Sequence, residues 1–201
     1  MTAPPLTAFR EFLVRLPKQA TGPLPLTVRK QIAQVLVSDS RRRFQTATDP
    51  GGRPWKPLKH RRPNGGDKPL RDTGVLRNSI TGEATATGAV VFSNLPYARL
   101  HEYGGTVRPK RSKYLAIPLT RDAKRTGSPR RFRVKLSFRP FKRKGTGGVL
   151  FVRRAGTTID HYLLVKSVTI PARPFLSPSD AALKLIDGIV SDATAAQLPG
   201  A

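Results

Sequence analysis

Apolar residues recur along this chain in two rhythms. Leu6, Phe9, Phe12, Leu13 and Leu16 follow three- and four-residue spacing, which predicts a short amphipathic helix ended by Pro17. Residues 18–26, holding Gly22, Pro23 and Pro25, read as a linker. A second helix is expected over residues 27–44, with Thr27 as its cap and Val28, Ile32, Val35, Leu36 and Asp39 on one mostly apolar face. Arg41, Arg42 and Arg43 then fall at the C-terminal end, where cations complement the helix dipole. A last helix is marked by Ser177 as cap, Pro178 in the first turn and Asp180 near the positive end, with Leu183, Ile186, Ile189 and Val190 on one face.

Between these helices the rhythm shortens. Residues 81–87, 89–93, 114–119, 132–138, 149–152 and 162–170 have β-like composition; Gly88 predicts a tight hairpin and residues 145–148 a flexible turn. Residues 73–80 and 97–103 read as helical turns, the second closed by Gly104 and Gly105. Residues 49–69 are dense in Gly and Pro and predict an extended loop, held to the body by its one large apolar residue, Trp55. Helices, then strands, then a helix predict an α+β fold: a small antiparallel sheet or half-barrel packed with an N-terminal and a C-terminal helix. One domain over residues 1–201 is expected, with 1–26 as helix and linker, 27–107 and 155–195 as body, and 108–154 as a basic inserted arm. Residues 114–119 and 162–168 would pair as the arm's edges, leaving 121–144 as its exposed middle.

Composition changes this picture mainly through charge. The 201 residues are 38% hydrophobic, enough for a core, which excludes disorder throughout. The absence of Cys excludes a disulfide framework and thiolate or Cys-metal chemistry. No apolar run reaches the roughly 20 residues of a membrane span or forms a signal peptide, so synthesis in a cytoplasm without export is the expectation. The net charge of +25 is concentrated: residues 41–77 contribute +8 and residues 108–154 contribute +16. Two basic excursions therefore project from a near-neutral body, and such clusters repel one another unless a polyanion screens them.

Catalytic chemistry finds little support. His60, His101 and His161 have no metal-ligand spacing, and in His101-Glu102-Tyr103-Gly104-Gly105 a glycine stands where a zinc protease needs its second histidine. Gly145-Thr146-Gly147-Gly148 lacks the Lys and Ser/Thr of a phosphate loop. Asp49, Asp67 and Asp72 fall in basic loops, while Asp180, Asp187 and Asp192 fit capping and solubility on the last helix. No enzyme activity, metal or cofactor is expected.

Four ordered fragments carry more information than any one motif. They are Phe44 with Asp49-Pro50-Gly51-Gly52-Arg53-Pro54-Trp55-Lys56-Pro57-Leu58; Lys68-Pro69-Leu70-Arg71-Asp72-Thr73-Gly74-Val75-Leu76-Arg77-Asn78-Ser79-Ile80; Tyr97-Ala98-Arg99-Leu100-His101-Glu102-Tyr103-Gly104-Gly105; and Ile170-Pro171-Ala172-Arg173-Pro174-Phe175-Leu176. From about residue 30 to 190 this set resembles the tailed-bacteriophage virion morphogenesis family, whose members act in tail completion and head-to-tail joining. The resemblance implies a non-enzymatic virion protein of the phage neck or tail, assembled in the host cytoplasm. Its expected partners are copies of itself in a ring, taken as a hexamer, together with head-connector and tail-tube or tail-terminator proteins and packaged DNA, with no membrane.

It further implies that Trp55, Gly74, Leu76, Tyr97, His101, Gly104, Gly105, Pro171, Arg173, Pro174 and Phe175 are fold or assembly positions. Tyr97 and His101 would face each other one helical turn apart. Charge names the candidate polyanion or subunit contacts: Arg41, Arg42 and Arg43; Arg61 and Arg62; Lys110 and Arg111; Lys124 and Arg125; Arg130 and Arg131; and Lys142, Arg143 and Lys144. An alternative is a nucleic-acid-binding protein of another kind, for packaging or RNA, motivated by Arg and Phe interleaving at Arg130, Arg131, Phe132, Arg133, Phe138, Arg139 and Phe141. Alternation on the inner face of a strand explains those Phe residues equally well. A hydrolase rests only on the incomplete histidine motif.

Overall fold

The computed structural model describes residues 24–58, 62, 66–142, 147–154 and 156–196. The helix expected at residues 6–16 lies outside them. In chain order the elements are α1 (Leu26–Thr46), α2 (Val75–Asn78), β1 (Ile80–Ala84), β2 (Ala89–Ser93), α3 (Ala98–Tyr103), β3 (Gly105–Val107), β4 (Leu115–Pro118) and α4 (Arg121–Thr126). A single 3-10 turn (Pro129–Arg131) follows, then β5 (Ser137–Pro140), β6 (Gly147–Arg154), β7 (Thr157–Val165), β8 (Val168–Ile170) and α5 (Asp180–Ala195). Helices mixed with small antiparallel sheets make this an α+β protein. The chain divides into two compact units, one formed by Leu58–Asp67 and Gly105–Ile170 and the other by the segments around them.

The first unit holds α1, α2, the β1–β2 hairpin, α3 and α5. Its long helix starts at Leu26 and not at a Thr27 cap: Pro25 occupies the cap position, and its carbonyl accepts the first helical bond, from Arg29 N at 3.1 Å. The helix also runs past Phe44, ending where Ala47 turns left-handed (φ 59°) and its N–H bonds the Arg43 carbonyl at 2.7 Å. The buried stripe is Ile32, Ala33, Leu36, Ser40, Arg43 and Phe44, so the inward face is rotated from the expected one: Ser40 and Arg43 are inside, and Val28 and Val35 only partly so. Two side chains that read as polar from sequence are therefore core.

The hairpin forms as expected, from Ile80 opposite Ser93 to Ala84 opposite Ala89. Gly82 lets it approach α1 closely, since a Cβ there would stand 2.8 Å from the Ala33 carbonyl oxygen. On α5 the cap is Ser179, whose Oγ accepts from Ala182 N at 3.2 Å, and not Ser177. Ser179 is selected because Asp39 of α1 accepts both its N–H (2.9 Å) and its hydroxyl (2.8 Å). That anchoring buries Ala182, Ile186 and Val190 of α5 and leaves Leu183 exposed, a correction to the face read from periodicity. Ile32, Leu36, Phe44, Trp55, Ile80, Val91, Phe175 and Ile186 form one contiguous core.

The second unit is built on a four-stranded antiparallel sheet in the order β4-β7-β6-β5. Leu115 opposite Val165 through Pro118 opposite Tyr162 is the pairing expected between residues 114–119 and 162–168. The segment between those strands is more structured than an exposed loop. Thr120 caps α4 through a 3.2 Å bond from Ala123 N, Ala123 is buried, and Tyr162 Oη donates to its carbonyl at 3.1 Å. The strand expected over 132–138 is confined to Ser137–Pro140, because Pro129 starts a 3-10 turn and the Phe132 ring is taken by His161 (4.5 Å) and Tyr162 (5.7 Å). Gly147 and Gly148 belong to β6 and not to a turn; a Cβ on Gly148 would meet the Phe138 ring at 2.7 Å. The strand expected over 162–170 breaks at Lys166 and Ser167, and β8 pairs separately with β3, Gly105 opposite Ile170.

Candidate functional site

The motif residues of the first unit converge on the extended segment that leads from β8 to α5. Arg173 is buried: its backbone N–H donates to the His101 carbonyl at 2.8 Å, and its guanidinium donates to the Lys56 carbonyl from Nε (3.1 Å) and Nη2 (2.9 Å). Trp55 Nε1 donates to the Pro174 carbonyl at 3.2 Å. The Trp55 ring stands edge-on to Phe44, with centroids 5.7 Å apart, and Phe44 packs in turn on Phe175 at 5.2 Å. Pro171 and Pro174 stiffen the backbone around Arg173, as φ is fixed at proline. Arg173 and Trp55 thus clamp one strand of chain to the early loop, and the Gly/Pro-rich stretch has a fixed end.

Glu102 completes the clamp. Its Oε2 accepts the backbone N–H groups of Phe175 (2.8 Å) and Leu176 (3.1 Å), and the carboxylate is buried. Burial raises its pKa above the ordinary 4.5, while those amides, Arg43 and the Ser177 amide pull the other way. Arg43 lies beneath: it donates to the Phe175 carbonyl at 2.7 Å and forms an ion pair with Asp39, which ties the clamp to the α5 cap. Burial lowers the Arg43 pKa against the pull of Asp39 and Glu102. Arg43 is consequently an internal strut, in contrast to its exposed neighbours Arg41 and Arg42.

Tyr97 and His101 do face each other, edge to face, with centroids 6.0 Å apart. His101 Nδ1 is buried with no partner, and burial together with the Arg173 charge lowers its pKa below the ordinary 6.5. Gly74 takes φ 80° just before α2, which puts Leu76 into the core, and Gly104 takes φ 72° as the C-cap of α3. Both angles lie where glycine alone is unstrained. Gly105 opens β3 in the second unit. Within the incomplete histidine motif, Glu102 holds the segment before α5 and His101 packs on Tyr97, while Tyr103 is exposed. Sequence reasoning missed the roles of Glu102 and Asp39; the signal available was a carboxylate inside one motif and another on the apolar face of a helix, in a chain with only 12 acids.

The basic candidates are placed differently. Arg41 is exposed and donates to the Ile80 carbonyl at 3.0 Å. Lys110, Arg111, Arg125, Arg130, Arg131 and Lys142 are exposed in the second unit, while Arg62 and Lys124 are half-buried there. Arg61, Arg143 and Lys144 lie outside the described residues. Residues 58–67 and 105–170, the segments of that unit, carry 21 Lys and Arg against 3 Asp and Glu, so a net +18 of the total +25 belongs to one body.

Comparison with known proteins places the chain among phage proteins. The model of the phage virion morphogenesis family matches residues 6–140, two thirds of the sequence, and so includes the Trp55, Gly74 and His101 motifs but not the Arg173 segment. The Mu-like prophage FluMu G protein 2 of Haemophilus influenzae is 45% identical over 69 residues, 34% of this chain and 46% of that protein. The match therefore spans about half the length of that curated relative. No solved structure matches.

Proposed function

This chain belongs to the phage virion morphogenesis family, and from that premise we propose that it is a structural virion protein of the neck or tail-completion class. In this reading its copies form a ring, a hexamer, that joins the tail to the head connector, with tail-tube or tail-terminator proteins on the other side. The observation that carries it is the family match over residues 6–140, which takes in the Trp55, Gly74 and His101 motifs, whose residues hold the fold. Ring subunits meet by heterologous contacts, one surface against a different one. The edge strands of the four-stranded sheet, β4 and β5, would offer backbone for such contacts. Pairing there would extend the sheet into the half-barrel expected from the sequence. The basic unit would then face neighbouring subunits or the genome in the lumen.

The test is a phage in which this gene carries an early stop codon. Filled heads and finished tails are expected to accumulate unjoined, and the added wild-type protein to join them in a lysate. Joined, infectious particles made without the protein would overturn the proposal. The isolated protein is expected to be monomeric or weakly associated, which sedimentation measures directly.

A further inference from the structure

A basic surface of the second unit contains apolar side chains left exposed among the described residues. Val134 is 53% exposed and Ile159 is 43% exposed, although both stand among arginines. They line, with Val152, a cleft of about 810 Å³ between the segment after the 3-10 turn, which carries Val134, and the β6–β7 hairpin, which carries Val152 and Ile159. Val152 and Ile159 sit directly opposite one another in the β6–β7 ladder, so their side chains share a face. The floor is Phe132, fixed by His161 at 4.5 Å and Tyr162 at 5.7 Å. His161 is itself held by Thr120, whose Oγ1 lies 2.9 Å from Nδ1.

Around this apolar strip stand Arg125, Arg131, Arg133, Arg153 and Arg154, and one carboxylate, Asp122. Asp122 is engaged by Arg125 at the rim. The guanidinium groups of Arg131, Arg133, Arg153 and Arg154 are exposed and form no ion pair with any described residue. Asp160 on β7 is taken by Arg139 on β5 at 3.0 Å. Four like charges around one cleft repel each other, and a bound anion relieves that repulsion.

We propose that this cleft binds the sugar-phosphate backbone of a nucleic acid strand. Guanidinium forks match phosphate oxygens in pairs, whereas the deoxyribose rings between phosphates are largely apolar. Residues 131–134 read Arg, Phe, Arg, Val and residues 152–154 read Val, Arg, Arg, so each wall carries apolar surface beside charge, as a sugar-phosphate backbone does. An acidic protein segment would leave Val134, Ile159 and Phe132 without an apolar counterpart. The volume lies within the roughly 300–1,000 Å³ of small-ligand sites, which suits a short stretch of one strand and not the diameter of a duplex. This deepens the assembly reading, which leaves both acidic neighbours and the genome as counter-ions, and solution binding tests it independently of head-to-tail joining.

The full-length protein is titrated with a fluorescein-labelled 12-nucleotide single strand and with its duplex across a salt series. Arg131→Ala combined with Arg154→Ala, on opposite walls, is compared with Arg108→Ala combined with Lys166→Ala, an equal charge change among exposed residues outside the cleft. The cleft pair is expected to weaken binding about tenfold or more and to flatten the salt slope by about 1.4 for the single strand, two phosphate contacts at about 0.7 each. The control pair should cost no more than about threefold. Equal losses from both pairs would overturn the proposal, as would polyglutamate of matched charge displacing the strand as well as unlabelled DNA does, which would assign the cleft to an acidic protein. All four arginine and lysine sites are exposed, so unchanged thermal melts verify that the variants are folded.

Discussion

Glu102 and His101 are sequence neighbours with opposite proton economies. The fold keeps a proton on Glu102 to higher pH than the unfolded chain does, so stability from this group falls as pH rises from about 4.5 toward its folded pKa. The fold resists a proton on His101, so stability falls as pH drops below 6.5. Between pH 4.5 and 6.5 the two slopes oppose each other. Relative to wild type, Glu102→Gln should lose more stability on acidification from pH 6.5 to 4.5, and His101→Asn should lose less. Urea midpoints at three pH values measure this, and parallel profiles for all three proteins would refute it. The sequence flagged His101 because histidines invite chemical readings. It hid Glu102, since a carboxylate's two backbone partners lie 73 and 74 residues away and leave no local pattern. Arg43 was misplaced for a related reason: three consecutive arginines look alike until the helix phase sends one inward to meet Asp39 and Phe175.

Helices and hairpins were legible where local spacing governs them, and their ends were not. Asp39 in α1 decides that α5 is capped by Ser179, a contact across 140 residues that no capping rule could see from Ser177 alone. Glycines show the same split between local and distant causes. Gly82 in β1 is required by the closeness of α1, with a notional Cβ 2.7 Å from Val37 Cγ2, whereas Gly188 in α5 has nothing within 4 Å. Gly82→Ala should therefore destabilise the protein by about 1–3 kcal/mol through overpacking. Gly188→Ala should stabilise it by about 0.5–1 kcal/mol, because alanine costs less chain entropy in a helix. Thermal melts of the two variants must move in opposite directions; a shared direction would contradict the packing described for β1 on α1.

At the scale of the whole chain, the charge partition was legible and the structure within the basic segment was less so. The β4–β7 pairing could be read from two apolar runs, but α4 and the displacement of Phe132 from its strand depend on Tyr162 and His161, which lie 39 and 29 residues beyond Ala123 and Phe132. Because Gly105 pairs directly with Ile170, the two ends of that segment lie side by side, about 5 Å apart. Replacing residues 105–170 by a short glycine-serine turn should leave a cooperatively folding remainder that has lost +16 of the +25. Trp55, the only tryptophan, reports on it by fluorescence, and emission typical of an unfolded chain would show that the remainder cannot stand alone. The order of the elements along the chain also sets an order of events on the ribosome. The sheet of the second unit is complete once β7 has emerged, but the core that joins Ile32 and Phe44 to Phe175 and Ile186 must wait for the last helix. At about 5–20 residues per second, the part of the α1 stripe that the β1–β2 hairpin does not cover therefore waits several seconds or more for Phe175 and Ile186, while the sheet of the second unit can already fold.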